Sequence, residues 1–342
     1  MNYKRIKHIL SDHIFDKEFP HWLVNYSFRP LRRMGLVPDE IYLKNLYRCQ
    51  MQEELDLENP QTFSQKLQWL KLYYRKPEFT TMVDKYAVKE YVAERIGEEY
   101  IIPTFGVWDS FDEIDFDSLP EQFVLKSTNG SGNNGVVICT DKSKLDKKAA
   151  KKRLEKSMKL DCYVGLVEWP YHNVPRRIIA EKFMSEKGDD GQYKDLHDYK
   201  IFCFDGVAKA LFIASDRQDK DAETRFDFFD ADFRHLPFTN GHPMSDEGNM
   251  PRQPETFEQM KSLAEKLTKG LPHARVDFYE VNGKAYFGEI TFYHNSGLVQ
   301  FVPNEWDEKW GKMIALPEEM GGVFIDLQQY SCMGTFGYRL AC

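Results

Sequence analysis

The chain lacks any apolar run near the ~18 residues that would span a bilayer, and no short apolar stretch ending in small residues marks a secretory signal. Its six cysteines (Cys49, Cys139, Cys162, Cys203, Cys332, Cys342) form no pair at zinc or redox spacing, so free thiols in a reducing compartment are expected and disulfides are not. Both absences lead us to expect a protein that stays in the cytoplasm. Positive charge is in deficit too: 46 Lys and Arg stand against 54 Asp and Glu, a net charge of −8, so the whole does not attract nucleic acid. The nine histidines lie apart without ligand spacing, and His197 and His273 read as strand residues, so a histidine or cysteine nucleophile has no support. No internal repeat or low-complexity tract is present.

What is there suffices for a large core. At 342 residues and 42% hydrophobic, the chain reads as two α+β lobes, or one large α+β domain with an appended helical segment. The first 33 residues carry seven basic side chains (Lys4, Arg5, Lys7, Lys17, Arg29, Arg32, Arg33) against three acids, interleaved with apolar residues. That pattern suits an anionic membrane surface or an amphipathic helix packed on its own protein.

Helical spacing runs from Thr62 to Leu72, where Thr62 and Gln65 make a capping box, and again from Thr81 to Gly97. The period then becomes two. Residues 122–126 and 135–140 read as strands joined by a glycine-rich turn, and a charged helix covers 142–159. Further strands are expected at 177–183, 197–204 and 207–215, a helix at 255–269, and two strands at 273–280 and 284–291. After Leu316 the pattern is lost and the tail reads as loosely ordered.

Two segments carry chemistry. In the first, Lys126 ends a strand and is followed by Gly130, Ser131, Gly132, Asn133 and Gly135. These glycines let a tight loop aim N–H groups at anionic oxygens while the lysine adds a point charge. It is not a Walker loop, since the lysine precedes the glycines; it is either a phosphate-covering flap between two strands or a plain polar hairpin loop.

In the second, alternation puts Arg275 and Asp277 on one face of a strand, and Glu289 and Thr291 on one face of the next. A two-residue Asn282-Gly283 turn would send Asp277 and Glu289 to opposite faces. A three-residue loop of Val281, Asn282 and Gly283 would instead pair Glu280 with Lys284 and set Arg275 opposite Glu289. We expect the three-residue loop, with the carboxylates taking Mg²⁺ and the arginine holding a transferred group. A surface hairpin bearing a charge pair is the plainer alternative.

Taken in order, Asp84-Lys85, Val-Leu-Lys126 with its flap, Ile-Ile-Ala-Glu181-Lys-Phe, Ala-Arg275-Val-Asp277 and Gly-Glu289-Ile-Thr resemble the signatures of the ATP-grasp superfamily. The phrases at 62–72, 83–92, 106–117 and 287–293 resemble its TupA-like branch, named for teichuronopeptide synthesis and linked to bacterial surface polysaccharides. The likeness covers about 60–310.

The resemblance implies an ATP-grasp fold in which two α+β lobes clamp ATP, with an N-terminal helical extension. Its segments would be the extension (1–60), a helical part of the core (61–120), a nucleotide-flap subdomain (121–182), a metal and acceptor subdomain (183–316) and the tail (317–342). It implies that Lys85 and Lys126 touch ATP phosphates, that 130–135 close over them, and that Glu181, Lys182 and Phe183 form the strand whose backbone reads adenine. Asp198 and Lys200 would line the groove, and Arg275, Asp277 and Glu289 would serve transfer and metal. Thr291 stands where many members carry Asn, which leaves Asn295 or water to complete the Mg²⁺ shell.

The implied activity is ATP- and Mg²⁺-dependent activation of a carboxylate as an acylphosphate, then amide formation with an amine, on glycan or amino-acid acceptors. Independently of the resemblance, position and chemistry suggest that the charged stretch from Ser215 to Arg225, lying in a loop between strands, docks the acceptor, with Arg217 or Arg225 forking onto a uronic-acid carboxylate; a solvated loop is the plainer alternative. Three rivals stay open: a glycan kinase with the same site, a glycosyltransferase using the Asp230-Ala-Asp232 triplet, and a non-catalytic nucleotide-binding protein. The basic N-terminus leaves contact with the inner face of a membrane open, and oligomeric state is not read from the sequence.

Overall fold

The computed structural model describes residues 28–130, 132, 135–186, 196–215 and 223–317. The first 27 residues, the tail beyond 317, Ser131, Asn133 and Arg217 lie outside them, so the membrane, tail and Arg217 expectations are not addressed. No helix among the described residues is long and apolar enough to cross a membrane.

After helical residues at 28–33 come α1 (Asp39–Met51), α2 (Phe63–Tyr73), α3 (Glu78–Val83) and α4 (Val88–Ile96). The capping box forms as the sequence predicts, with the Thr62 side chain accepting from Gln65 N and the Gln65 side chain accepting from Thr62 N. The single helix expected over 81–97 is broken. The Asp84 carboxylate accepts from the backbone N–H of Tyr86 (2.8 Å) and Ala87 (3.3 Å), so its side chain competes with the helical ladder and separates α3 from α4.

Two antiparallel sheets follow. Strands β1 (Thr104–Trp108), β2 (Phe123–Ser127), β3 (Val136–Cys139) and β4 (Ile178–Lys182) form the first, in the order β1-β4-β2-β3. Helix α5 (Lys147–Met158), capped by Asp146, packs on one face of it, and a short helix α6 (Cys162–Leu166) leads back to β4. Phe123 and Leu125 are buried with Leu154 of α5, so alternation turns Lys126 to the other face. The charged segment expected as one helix over 142–159 opens with a separate 3₁₀ turn at Lys142–Lys144 before α5 begins.

The second sheet has the order β10-β9-β5-β6-β7, from β5 (Asp198–Phe204), β6 (Val207–Ser215), β7 (Arg225–Asp230), β9 (His273–Val281) and β10 (Lys284–Thr291). Helix α7 (Phe257–Thr268) packs across β5, β6 and β9 on one face. Strands β8 (Thr239–Asn240) and β11 (Phe301–Val302) form a small ribbon, and α8 (Glu305–Gly311) ends the described chain.

The second sheet's other face is divided along the strands. At one end Trp310 of α8 is fully buried among Phe63, Phe202, Phe204, Phe228, Phe238 and Phe301, with ring centroids 4.7–5.9 Å from its own. At the other end the side chains are charged. One end is core, and the other is open to chemistry.

Helix α8 is pinned to α2 by Asp307, whose Oδ1 accepts from Ser64 N at 2.8 Å, and by Lys66 Nζ donating to the carbonyls of Gly311 and Ile314. Burial pushes the Asp307 carboxyl up to about 6, against the pull of its bonds from Ser64. A folded pKa above the unfolded one means the folded state holds the extra proton, so this stabilisation is full below about pH 4 and lost as pH rises through about 6. Asp307→Asn keeps the acceptor for Ser64 and removes the titration. In chemical denaturation from pH 4 to pH 7, wild type should lose stability relative to this variant by up to roughly 3 kcal/mol. A pH-independent difference would show that Asp307 does not titrate this way.

Candidate active site

The hairpin of β9 and β10 decides whether two carboxylates can meet, and it does so by a route the sequence reading did not anticipate. Lys284 pairs with Val281, and Asn282 and Gly283 take left-handed φ of 52° and 69°, so the connection is the two-residue turn and not the three-residue loop. That register alone would place Asp277 and Glu289 on opposite faces. A bulge between Phe287 and Glu289 shifts it by one, so Glu289 stands opposite Asp277 and Thr291 opposite Arg275. Gly288 is the inserted residue, and a Cβ there would come within 3.0 Å of the Asp277 carbonyl oxygen. The bulge restores the shared face.

On that face Arg275 grips Asp277 with two bonds, Nε to Oδ1 at 2.7 Å and Nη2 to Oδ2 at 2.8 Å. Its Nη2 also reaches Thr291 Oγ1 (3.0 Å) and Glu289 (3.5 Å). Lys200 of β5 bonds Asp277 as well and lies 2.7 Å from Asp198. Burial opposes the Arg275 charge, but Asp277, Glu289 and Asp198 outweigh it and raise its pKa. Burial also pushes Asp277 upward, against Arg275 and Lys200.

His294 orients the arginine from behind. Burial and then Arg275 and Lys200 hold its pKa well below the usual range, so the ring is neutral. Its Nδ1 therefore accepts from Arg275 Nη1 (2.8 Å) and its Nε2–H donates to Asn240 Oδ1 (3.0 Å). Asn240 Oδ1 also receives the Asn295 amide at 2.9 Å.

The first sheet and the α3–α4 turn face these groups. Lys85 donates to Gly130 O (2.8 Å) and lies 3.4 Å from Glu289 Oε2. Lys126 and Lys89 hold the two oxygens of Glu181 at 2.7 and 2.5 Å. Burial opposes the Lys126 charge, and Glu181, then Glu289 and Asp198 of the other sheet, raise its pKa. Glu289, which burial alone would raise, is driven low by Lys85, Lys200 and Arg275. Arg177 bonds Asp84 at 3.0 Å and fixes the turn that presents Lys85. In the flap, Gly132 and Gly135 have left-handed φ of 58° and 81°.

Lys85, Lys126, Lys200, Arg275, Asp277 and Glu289 thus converge on one cleft, with Asp198, Gly130 and Thr291 beside them. Three expected residues are placed differently from their assigned roles. Glu181 turns its carboxylate into the cleft between two lysines, in addition to offering backbone. The Lys182 N–H is spent on Pro103 O (2.9 Å), and its side chain is exposed where β4 ends and Phe183 leaves the sheet. Asn295 is tied to Asn240 behind His294.

Arg225 is a correction. It pairs with Ser215, one residue out of step with the Ala214 partner of Asp198, so it stands on the face away from the cleft and bonds Met244 O at 2.8 Å. The Asp230-Ala-Asp232 triplet builds a turn: Asp230 accepts from the N–H of Asp232 and Arg234, and Asp232 pairs with Arg234. The sequence reading missed Lys89, Arg177, His294 and Asn240. Only Lys89 carried a local signal, lying one helical turn beyond Lys85.

Residues 65–315 match the model of the TupA-like ATP-grasp family. The chain belongs to that family. No curated protein matches it. Among solved structures it is similar to D-alanine–D-alanine ligase from Bacillus anthracis (17% identity over 62% of this chain and 57% of that one, TM-score 0.37). It is also similar to the ligase of that name from Helicobacter pylori (16%, 74% and 69%, TM-score 0.39) and to the ATP-grasp ligase PsnB complexed with minimal precursor, Mg and ADP (11%, 67% and 57%, TM-score 0.34). The chain spans less than two thirds of the Bacillus anthracis ligase and of PsnB, and nothing of their substrates passes to it.

This TupA-like ATP-grasp chain offers a divalent ion two hard carboxylates. Glu289 is the loosely held one, with its side chain 34% exposed and its cations at 3.4 and 3.5 Å. No group of three or more His, Cys, Asp or Glu among the described residues could hold a metal. One or two carboxylates completed by phosphate and water is the set Mg²⁺ accepts, so the donors fit that ion.

Gly288→Val tests the bulge. Its side chain would press on the Asp277 carbonyl, costing roughly 1–3 kcal/mol of stability. Affinity for ATP with Mg²⁺ should fall as well, because Glu289 would lose its place opposite Asp277. Gly283→Ala, at the far turn, should cost stability alone, read by denaturation and nucleotide titration. Equal loss of nucleotide affinity in both variants would deny the bulge its special role.

Proposed function

We propose that the protein is an ATP-dependent carboxylate–amine ligase acting on a uronic-acid-bearing surface glycan or an amino acid. One observation carries the reading: Lys85 and Lys126, presented from the first sheet's side, face Asp277, Glu289 and Arg275 of the second across one cleft. In this reading 121–182 act as the nucleotide-flap subdomain and 183–316 as the metal and acceptor subdomain. The adenine lies along Glu181 to Phe183, and the flap from Gly130 to Gly135 covers the phosphates.

The residues divide the work. Lys85 and Lys126 hold phosphate oxygens, and Asp198 with Lys200 lines the groove. Asp277 and Glu289 would hold Mg²⁺, with Thr291 beside it and water completing the shell; the ion when bound neutralises charge on the phosphates. Arg275 holds the group in transit, oriented by neutral His294. An acceptor carboxylate oxygen attacks the γ-phosphorus while its bond to ADP breaks. An amine then attacks the acyl carbon and orthophosphate leaves. Positioning and charge stabilisation carry the rate, since little covalent work falls to the protein.

The test is purified protein with Mg·ATP and a panel of uronic-acid glycans and amino acids, assayed for ADP, orthophosphate and an amide by mass. Lys126→Met should lower kcat/KM for ATP by roughly 10²–10³-fold. A phosphorylated glycan formed without orthophosphate would make the protein a kinase. ATP binding without turnover on any acceptor would make it a binding protein.

A further inference from the structure

Charge outside the cleft is uneven, and one region is basic in spite of the chain's net −8. A cavity of about 520 Å³ is lined by Arg32, Arg33, Lys159, Asp161, His172 and Arg176. Arg32 is buried, stacked 4.3 Å from the Tyr42 ring and 5.3 Å from the Tyr163 ring. Its Nη2 is spent on Asp39 (2.9 Å) and Tyr163 O (3.0 Å), while its Nε and Nη1 have no acceptor among the described residues. The single acid on the wall, Asp161, is held by His172 at 2.9 Å and lies 3.7 Å from Arg176. Arg33 and Lys159 are exposed and have no carboxylate within ion-pair reach among the described residues. The wall carries more positive charge than its one acid offsets.

A line of lysines leads to it. Lys148, Lys152, Lys156 and Lys159 are spaced four, four and three apart, which puts them on one face of α5 and its end. All four are exposed, and none forms an ion pair among the described residues, whereas Lys144 and Lys151 nearby are paired with Asp141 and Asp112. Like charges one turn apart repel, so the helix bears this arrangement at a small cost in its own stability. An extended anion would offset that cost.

The cavity is joined to the catalytic cleft through its wall. The Leu160 carbonyl accepts from Arg176 Nη1 (2.7 Å) and from Asn129 Nδ2 (3.1 Å). Asn129 precedes Gly130, whose carbonyl accepts from Lys85, and Arg176 precedes Arg177, which fixes Asp84. We propose that the lysine line and the arginine cavity dock a polyanionic acceptor, a carboxylate-bearing glycan chain, and lead it towards the flap. The proposal deepens the ligase reading by placing its acceptor. A flat anionic membrane could touch the exposed lysines, but the cavity's concave shape, floored by Arg32, suits a chain.

Binding of polygalacturonate, a neutral glucan and anionic phospholipid vesicles should be measured in the absence of ATP, at several salt concentrations. The wild type should bind polygalacturonate and not the glucan, and the binding should weaken steeply with salt. Arg33→Ala/Lys156→Ala/Lys159→Ala should weaken it at least ~10-fold and leave KM for ATP unchanged, while the control Lys144→Ala/Lys151→Ala, which removes paired lysines, should stay within about 2-fold. Absence of wild-type binding, equal loss in both variants, or binding to vesicles alone would overturn the proposal. Because no nucleotide is present, docking and ligation fail separately. Polymer binding without ADP or amide formation sinks only the ligase reading, and amide formation without polymer binding sinks only the docking site.

Discussion

An ion left single between two sheets costs several kcal/mol, and that constraint governs how this cleft is built. Arg275 and Asp277 meet it with two short bonds from one strand, so they form a fixed frame. Glu181 does the same for the first sheet, held between Lys89 and Lys126. Against these frames Glu289 and Lys85 stand apart, with their mutual contact at 3.4 Å and Glu289 partly open to water. Phosphate and a divalent ion can exchange into the loose pair at little cost, whereas breaking the tight pairs would strand buried charge. The distinction separates Glu289 and Lys85, which can take up a ligand with little loss, from Arg275, Asp277, Glu181 and Lys126, which must keep or exchange a close internal partner when one enters.

The frame depends in turn on helix α2, far along the chain. Gln68 Nε2 donates to the carbonyls of Ser296 and Gly297, and Lys71 Nζ donates to Ser296 O and Oγ. Asn295, Ser296 and Gly297 all have left-handed φ, a conformation that L residues adopt only when their surroundings enforce it. These bonds from α2 are that enforcement. Burial lowers Lys71 to about 7, opposed by Glu168, so the cation is costly to keep there. The turn it secures begins with His294, which orients Arg275. A capping box at Thr62 thus bears, through one helix and one strained turn, on the guanidinium in the cleft.

What the sequence made legible was local. The α2 box, the strand periods, the glycine-rich turn between β2 and β3 and the order of Lys85, Lys126, Arg275, Asp277 and Glu289 could be read because each needs only neighbours in the chain. The hairpin failed instructively, because Asn282-Gly283 does make the two-residue turn its residues favour, and the facing of Glu289 is set six residues later. An isolated glycine inside a strand was the available sign of a bulge, and Gly288 was that glycine. The break at Asp84 was hidden by apolar spacing that continues across it. Arg225 was read as a loop residue when it opens an edge strand whose register turns it away. His294 and Asn240 are joined only by tertiary folding, and no spacing foretells them.

The two charged regions differ in a way that bears on how each works. In the cleft nearly every ion has an internal partner, so its field is set before any ligand arrives and little reorganisation is needed when phosphate enters. Lys148, Lys152, Lys156 and Lys159 along α5 and its end, and Arg33 at the cavity, are exposed with no carboxylate within ion-pair reach among the described residues, so their field extends outward and falls off with salt. The first arrangement suits holding a small, highly charged group in one geometry. The second suits gathering a long anion without fixing its register, and the shared Leu160 carbonyl ties that surface to Asn129, which precedes the glycine-rich loop we propose covers the phosphates.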